Sequence, residues 1–246
     1  MKRRLLFALA LAALSAMPCA RAHAAGINLS WNDCGTAGVE DQSFACNTNT
    51  GTAFVLVLSV VPPAGTTAIT GAEISLEFNA ASPTLPDWWK FKNVGWCRQT
   101  ALVASADFTG WDPQSCADYW MGQAAGGITA YLQPYPQYPC TARLLMVFAV
   151  APSLTGPLDE NLEYYICRVS ILRSKTVGTG SCDGCSTPVM VMLNEVKLTQ
   201  PVGVGDYRIQ NPVDRNWATW QHSNFNVCRW VPTRNNTWGG VKALYR

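Results

Sequence analysis

Few residues in this chain have types and spacings suited to chemistry. Asp87, Asp107, Asp112 and Asp118 lie within Pro86–Trp120, a stretch that also holds five of the ten tryptophans. Two facing carboxylates are what a glycosidase needs, about 5 Å apart for retention or about 7–9 Å for inversion. Spacing along the chain does not set such a distance, and acids beside turns ordinarily cap them or are solvated. Glu73 and Glu77 share one face of an alternating segment, but four residues of extended chain separate them by about 13 Å. That exceeds the glycosidase range and describes a wet strand face.

Cys182-Asp183-Gly184-Cys185 has the spacing of a redox pair or half a zinc site. Redox use requires a helix start after a strand, where the dipole lowers a thiol pKa. Zinc requires a second ligand pair. Here the motif sits among Gly178, Gly180, Ser181 and Ser186, and structural disulfides are expected. His222, in Thr219-Trp220-Gln221-His222-Ser223, would have to serve any Ser-His-acid triad, yet no Gly-x-Ser-x-Gly elbow accompanies it. Asn47–Gly51 places oxygen side chains before a glycine but lacks the carboxylates of a calcium loop. Gly122–Gly127 lacks the strand-to-helix context of a dinucleotide site. No metal and no cofactor is expected.

The aromatics suggest binding instead. Trp88, Trp89, Trp96, Trp111, Tyr119 and Trp120, with Tyr135 and Tyr138 on a proline-rich loop, can form a stacking platform, because a flat apolar ring matches a pyranose face. The alternative is that they close one end of a core. Adjacent Trp88 and Trp89 cannot both point inward from an extended chain, so at least one should be exposed or in a turn.

The compartment is written at the N-terminus. Lys2-Arg3-Arg4 precede the apolar run Leu5–Ala16, and Ala22-His23-Ala24 offers small residues for cleavage. These are the three parts of a secretory signal peptide, expected over residues 1–24, with an apolar run too short to span a bilayer. Cys19 is a weaker candidate for lipidation because Pro18 precedes it. Losing Lys2, Arg3, Arg4 and Arg21 leaves 14 basic residues against 16 acidic ones, a formal charge of −2 in place of +2. Nucleic acid is therefore not an expected partner, and no later run is long enough for a membrane span. Nine cysteines remain, an odd number, so one is left free or joined to another chain. Proximity in sequence suggests Cys34–Cys46, Cys97–Cys116 and Cys182–Cys185, with Cys140, Cys167 and Cys228 undecided. A bridge closing about 20 residues, as Cys97–Cys116 would, contributes on the order of 3 kcal/mol.

The elements that must hold these residues are strands. Charged residues make up only 14% of the chain, and turn formers are plentiful. Phe54–Val61 and Leu144–Val150 are almost wholly apolar and should be central strands. Thr70–Asn79 alternates cleanly. Tyr165, Cys167, Val169 and Ile171 should face inward, opposite Arg168 and Ser170. Further strands are expected at Ile27–Trp31, within Ala101–Phe108, and at Ile128–Leu132, Val189–Leu198, Tyr207–Gln210 and Trp217–Trp220. Gln133–Cys140 should be an irregular loop, and Trp238–Arg246 one or two helical turns. The whole predicts an all-β, antiparallel β-sandwich of about nine or ten strands, disulfide-stapled, as a single domain over residues 25–246.

Several phrases together, Gly26-Ile27-Asn28-Leu29-Ser30-Trp31-Asn32-Asp33-Cys34, Leu85-Pro86-Asp87-Trp88-Trp89, Cys116-Ala117-Asp118-Tyr119-Trp120 and the ending Thr237–Arg246, resemble a set of uncharacterised secreted bacterial proteins. The resemblance covers nearly the whole mature chain and carries no activity with it. In strand pattern the chain also resembles cohesin and carbohydrate-binding sandwiches, an analogy of fold alone. The expected function is an exported, non-catalytic structural or binding module, extracellular or at the cell surface, whose partner is a glycan or a surface protein, with self-association a further option. The alternative is a glycan-directed hydrolase using carboxylates near the tryptophans.

Overall fold

In the computed structural model, which describes residues 25–111, 115–221 and 228, twelve strands form two packed sheets. The first sheet runs β1 (Gly26–Trp31), β3 (Phe54–Val61), β9 (Tyr164–Ile171), β5 (Leu102–Ser105), with the two-residue β6 (Ala117–Asp118) also on β9. The second runs β2 (Asp41–Gln42), β12 (Trp217–Trp220), β10 (Val189–Thr199), β4 (Gly71–Ala80), β8 (Thr141–Ala149), β7 (Ala125–Leu132), with β11 (Tyr207–Ile209) on β10. Nearly all pairings are antiparallel; β2–β12 and β6–β9 are parallel. The excess over nine or ten strands comes from the two-residue β2 and β6.

Alternation builds the core. Ile27, Leu29 and Trp31 of β1, Leu56, Leu58 and Val60 of β3, and Ile74, Leu76 and Phe78 of β4 all face the other sheet and are buried. β3 is buried on both faces, as its uniform apolarity predicts. β8 differs: it lies inside its sheet, yet Val147 is exposed on the outer face. Apolar composition did not require a cover there.

The expected facing of β9 needs one correction. The register against β3 slips between Leu58 and Ser59, which leaves Ile166 as an extra residue. A bulge of one residue reverses every side chain beyond it. Tyr164 and Ile166 therefore join the core, and Tyr165 turns to the outer face.

That outer face is covered by two loops. Phe108 stacks on Tyr165 with ring centroids 4.4 Å apart, and Val57 and Cys34 complete a small second cluster. Beside it the Glu163 carboxylate accepts from Asn28 Nδ2 at 2.7 Å and Ser59 Oγ at 2.5 Å. Asp33 accepts from the Tyr165 hydroxyl at 2.7 Å and from Ser115 Oγ at 2.5 Å. Buried polar groups paired this way avoid the desolvation cost of isolated ones.

Four disulfides join distant segments: Cys34–Cys116, Cys46–Cys185, Cys97–Cys182 and Cys140–Cys228, spanning 82, 139, 85 and 88 residues. The six cysteines expected to pair do pair with one another, but every expected partner was wrong. Pairing follows spatial neighbourhood, and in a sandwich a loop's neighbours come from distant strands. Among the described residues the unpaired cysteine is Cys167, buried between the sheets. Residues 1–24, where a signal peptide is expected, His222 and the C-terminal segment Trp238–Arg246 lie outside the described residues.

Candidate functional site

The tryptophan stretch begins with a 3-10 turn, Asp87–Trp89, entered from the extended Pro86. A 3-10 turn winds successive side chains around an axis instead of alternating them. Both Trp88 and Trp89 are thereby directed inward, and each is 0% exposed. Trp88 Nε1 donates to Thr176 Oγ1 at 3.1 Å. Trp220, on β12, lies 5.0 Å from Trp88 and 5.2 Å from Trp89 between ring centroids, and also touches Trp31, Phe44 and Phe54. Trp120 is 1% exposed and donates to the Ile166 carbonyl at 3.0 Å. Tyr119 is buried, and its hydroxyl accepts the Ile69 N–H at 2.7 Å. Desolvation raises its pKa.

Four of the six expected ligand-binding aromatics, Trp88, Trp89, Tyr119 and Trp120, are therefore core. They offer no face to a ligand. The other two, Trp96 and Trp111, are half-buried and sit on different parts of the molecule. Trp96 packs edge-on to Tyr131 of β7 at 5.9 Å, whereas Trp111 packs against Phe108 over the outer face of the first sheet. No single platform forms. Tyr135 stacks instead under Arg143, 3.8 Å from guanidinium carbon to ring centroid.

Trp96 lines a surface cleft of about 380 Å³ together with Asp87, Lys90, Gly95, Cys97 and Gln133. Its frame is rigid. Arg98 is fully buried, with its guanidinium donating to the carbonyls of Trp88 (2.9 Å), Ser174 (3.0 Å) and Leu172. Cys97 is bonded to Cys182. Between the 3-10 turn and these anchors the chain must reverse, and Gly95 does so at φ +81 with open space around its α-carbon. Lys90 Nζ contacts Asp87 Oδ1 at 2.6 Å on one wall. Gln133 stands opposite, its amide donating to the Pro139 carbonyl at 3.0 Å. The cleft thus offers a ring, an ion pair, an amide and a glycine.

The candidate acids are engaged one by one. Asp87 pairs with Lys90. Asp107 Oδ1 accepts the Thr109 N–H at 2.9 Å, and that bond is the main reason its pKa is lowered. Asp118 Oδ1 accepts from the N–H groups of Trp120 and Met121 at 3.1 Å. Asp112 lies outside the described residues. On β4, Glu73 pairs with Lys197 and Glu77 with Arg143. Cys182 and Cys185 are not bonded to each other but to Cys97 and Cys46. Cys34, Cys116 and Glu163 bring ligand-type atoms within 4.8 Å of one another, but both sulfurs are consumed by their own bond and cannot hold a metal. Asn49, in the calcium-like segment, accepts from the N–H groups of Thr176 and Val177 and so braces a loop.

Sequence reasoning missed Lys90, Gln133 and Gly95 as cleft residues and Arg98 as their anchor. Only Arg98 had a local signal, its place beside Cys97 in a tryptophan-rich segment.

No protein-family model and no curated protein matches the chain. Among solved structures, it is similar to a cohesin module from a family 33 glycoside hydrolase of Clostridium perfringens. That match has 11% identity and a TM-score of 0.36 and covers 80% of this chain and 94% of the other. It is also similar to a chain from a study of manganese lipoxygenase of Gaeumannomyces graminis and a partial zonadhesin of Komagataella pastoris. There the identity is 15% and the TM-score 0.24, over 80% of this chain and 58% of that one. Neither likeness bears on what the chain binds.

Proposed function

We propose that this chain is an exported, disulfide-braced β-sandwich that binds carbohydrate at the Trp96 cleft outside the cell and does not transform it. The observation that carries the reading is Trp96: a half-buried ring from the tryptophan stretch, lining a cleft with Asp87, Lys90 and Gln133. Sugar recognition needs a flat apolar surface with a few hydrogen-bonding groups around it. Among the described residues one carboxylate, Asp87, lines this cleft, and it is tied to Lys90. An acid–base pair for glycoside hydrolysis needs two. Export is supported by the three-part leader and by eight cysteines engaged in four disulfides, a state that persists in oxidising compartments.

Glycan-array binding by the exported protein tests the reading. Trp96→Ala should weaken the strongest array hit at least tenfold, or roughly 1.4 kcal/mol. The double variant Asp87→Ala/Lys90→Ala, which alters only the exposed wall, should weaken the same hit. Unchanged binding in both variants would reject the cleft as the site. N-terminal sequencing of the exported chain should begin near Ala25, and recovery of an intact leader would reject export.

A further inference from the structure

Six arginines fall within the described residues, and five have their guanidinium groups engaged. Arg98 donates to three carbonyls, Arg143 pairs with Glu77, and Arg173 donates to the Thr52 carbonyl. Arg208 pairs with Glu195, and Arg215 with Asp214 and the carbonyl of Gly38. Arg168 is the exception: among the described residues its guanidinium makes no hydrogen bond and no ion pair. Its Nε is buried without a partner, and so is the indole Nε1 of Trp111 beside it. The guanidinium carbon lies 5.1 Å from the Trp111 ring centroid and 6.0 Å from that of Phe108.

We infer that Arg168, held against Trp111 on the outer face of the first sheet, receives the carboxylate of an acidic sugar. An arginine stacked on an aromatic ring keeps the edge of its planar fork free for two parallel bonds to a carboxylate. The stacking and the buried Nε limit the rotamer freedom that binding would otherwise remove. The surroundings suit a saccharide. Ser105 stands directly across from Arg168 on β5, and Ser170 follows two residues along the same face of β9, opposite Val103. Two hydroxyls thus flank the cation, and Val103, 46% exposed, supplies an apolar contact. Asp107, the acid whose pKa Arg168 influences, already accepts the Thr109 N–H and is not within ion-pair distance.

Trigalacturonate titrated into the mature chain, followed by calorimetry at low salt, tests this. Binding is expected to exceed that of the neutral trisaccharide of the same linkage at least tenfold and to weaken as salt rises. Arg168→Gln and Arg168→Lys should each lose tenfold or more, the lysine variant because a point charge does not replace the fork. Ser170→Glu, which leaves Arg168 in place but supplies an internal carboxylate, should also lose binding. Trp96→Ala should leave trigalacturonate binding unchanged, which separates this site from the Trp96 cleft. Equal affinity for neutral and acidic trisaccharides, or undiminished binding in the Arg168 variants, would overturn the inference. Arg168-dependent binding of polyglutamate without binding of trigalacturonate would overturn it too, by assigning the site to an acidic protein partner.

Discussion

The guanidinium carbon of Arg98 sits 3.5 Å from the ring centroid of Trp88, inside the protein, with no carboxylate among the described residues bonded to it. The ring's negative face and three backbone carbonyls do the work that a counter-ion usually does. Burial pulls the Arg98 pKa down to about 9, still above neutrality, so the group keeps its charge at pH 7. Arg98→Met would preserve much of the apolar stem but leave the carbonyls of Trp88, Ser174 and Leu172 unpaired. At about 1 kcal/mol or more for the buried Trp88 carbonyl and less for the two part-buried ones, the variant should lose about 2 kcal/mol. Urea unfolding followed by tryptophan fluorescence measures this.

Trp88→Ala and Trp89→Ala should behave as core mutations. Each removes a fully buried indole packed on Trp220, so each should cost about 3–5 kcal/mol. Any loss of ligand binding should track loss of folded protein. Circular dichroism melts run beside the binding assay separate this from Trp96→Ala, which should lose binding with a much smaller fall in melting temperature.

Thiol chemistry checks the cross-links. The chain from Ala25 onward should show no thiol reactive to Ellman's reagent while folded and one when denatured, because Cys167 is buried and burial pushes its pKa up. Non-reducing peptide mapping should recover Cys34 with Cys116, Cys46 with Cys185 and Cys97 with Cys182. Loops this long restrict the unfolded chain by about 4–5 kcal/mol each in the entropic account, without simple additivity. Reduction should therefore unfold the protein under conditions where the oxidised form is stable.

Alkaline titration should find held-back phenols. Tyr165 is pushed up to about 12, first by burial and then by its bond to Asp33, and burial raises Tyr131 well above its ordinary value. An unfolded tyrosine ionises near 10. The stabilisation these groups provide is complete below pH 10 and is lost as pH rises through the folded values. Arg98, with its lowered pKa, runs in the opposite direction above pH 9. Absorbance at 295 nm isolates the phenols: a fraction should ionise only above about pH 12 or together with unfolding. Complete titration near pH 10 in the folded protein would contradict this.

Local periodicity made most of the strands legible. Thr70–Asn79 alternates because one face is buried and the other wetter, and β4 follows that pattern from Ala72 to Phe78, whereas Asn79, expected on the wet face, is buried. The apolar run Phe54–Val61 became a strand covered on both faces. β9 shows where periodicity stops: a single bulge at Ile166 moves Tyr165 from the expected inner face to the outer one. Bulges arise from the fit between two strands, and neither strand carries the signal alone. The candidate site was less legible. Trp96 was named, but among five other rings that do not share its position. Lys90 and Gln133 acquire their meaning only from a cleft whose walls are about forty residues apart in sequence.

The amino-acid sequence alone determined the architecture, because the placement of apolar and polar side chains along each segment dictates which face can leave water. Only the tertiary structure decided which cysteines meet, which indoles are core and which arginine lacks an acceptor among the described residues. Those outcomes depend on the packing of segments far apart in the chain, where distance in space is unrelated to distance in sequence.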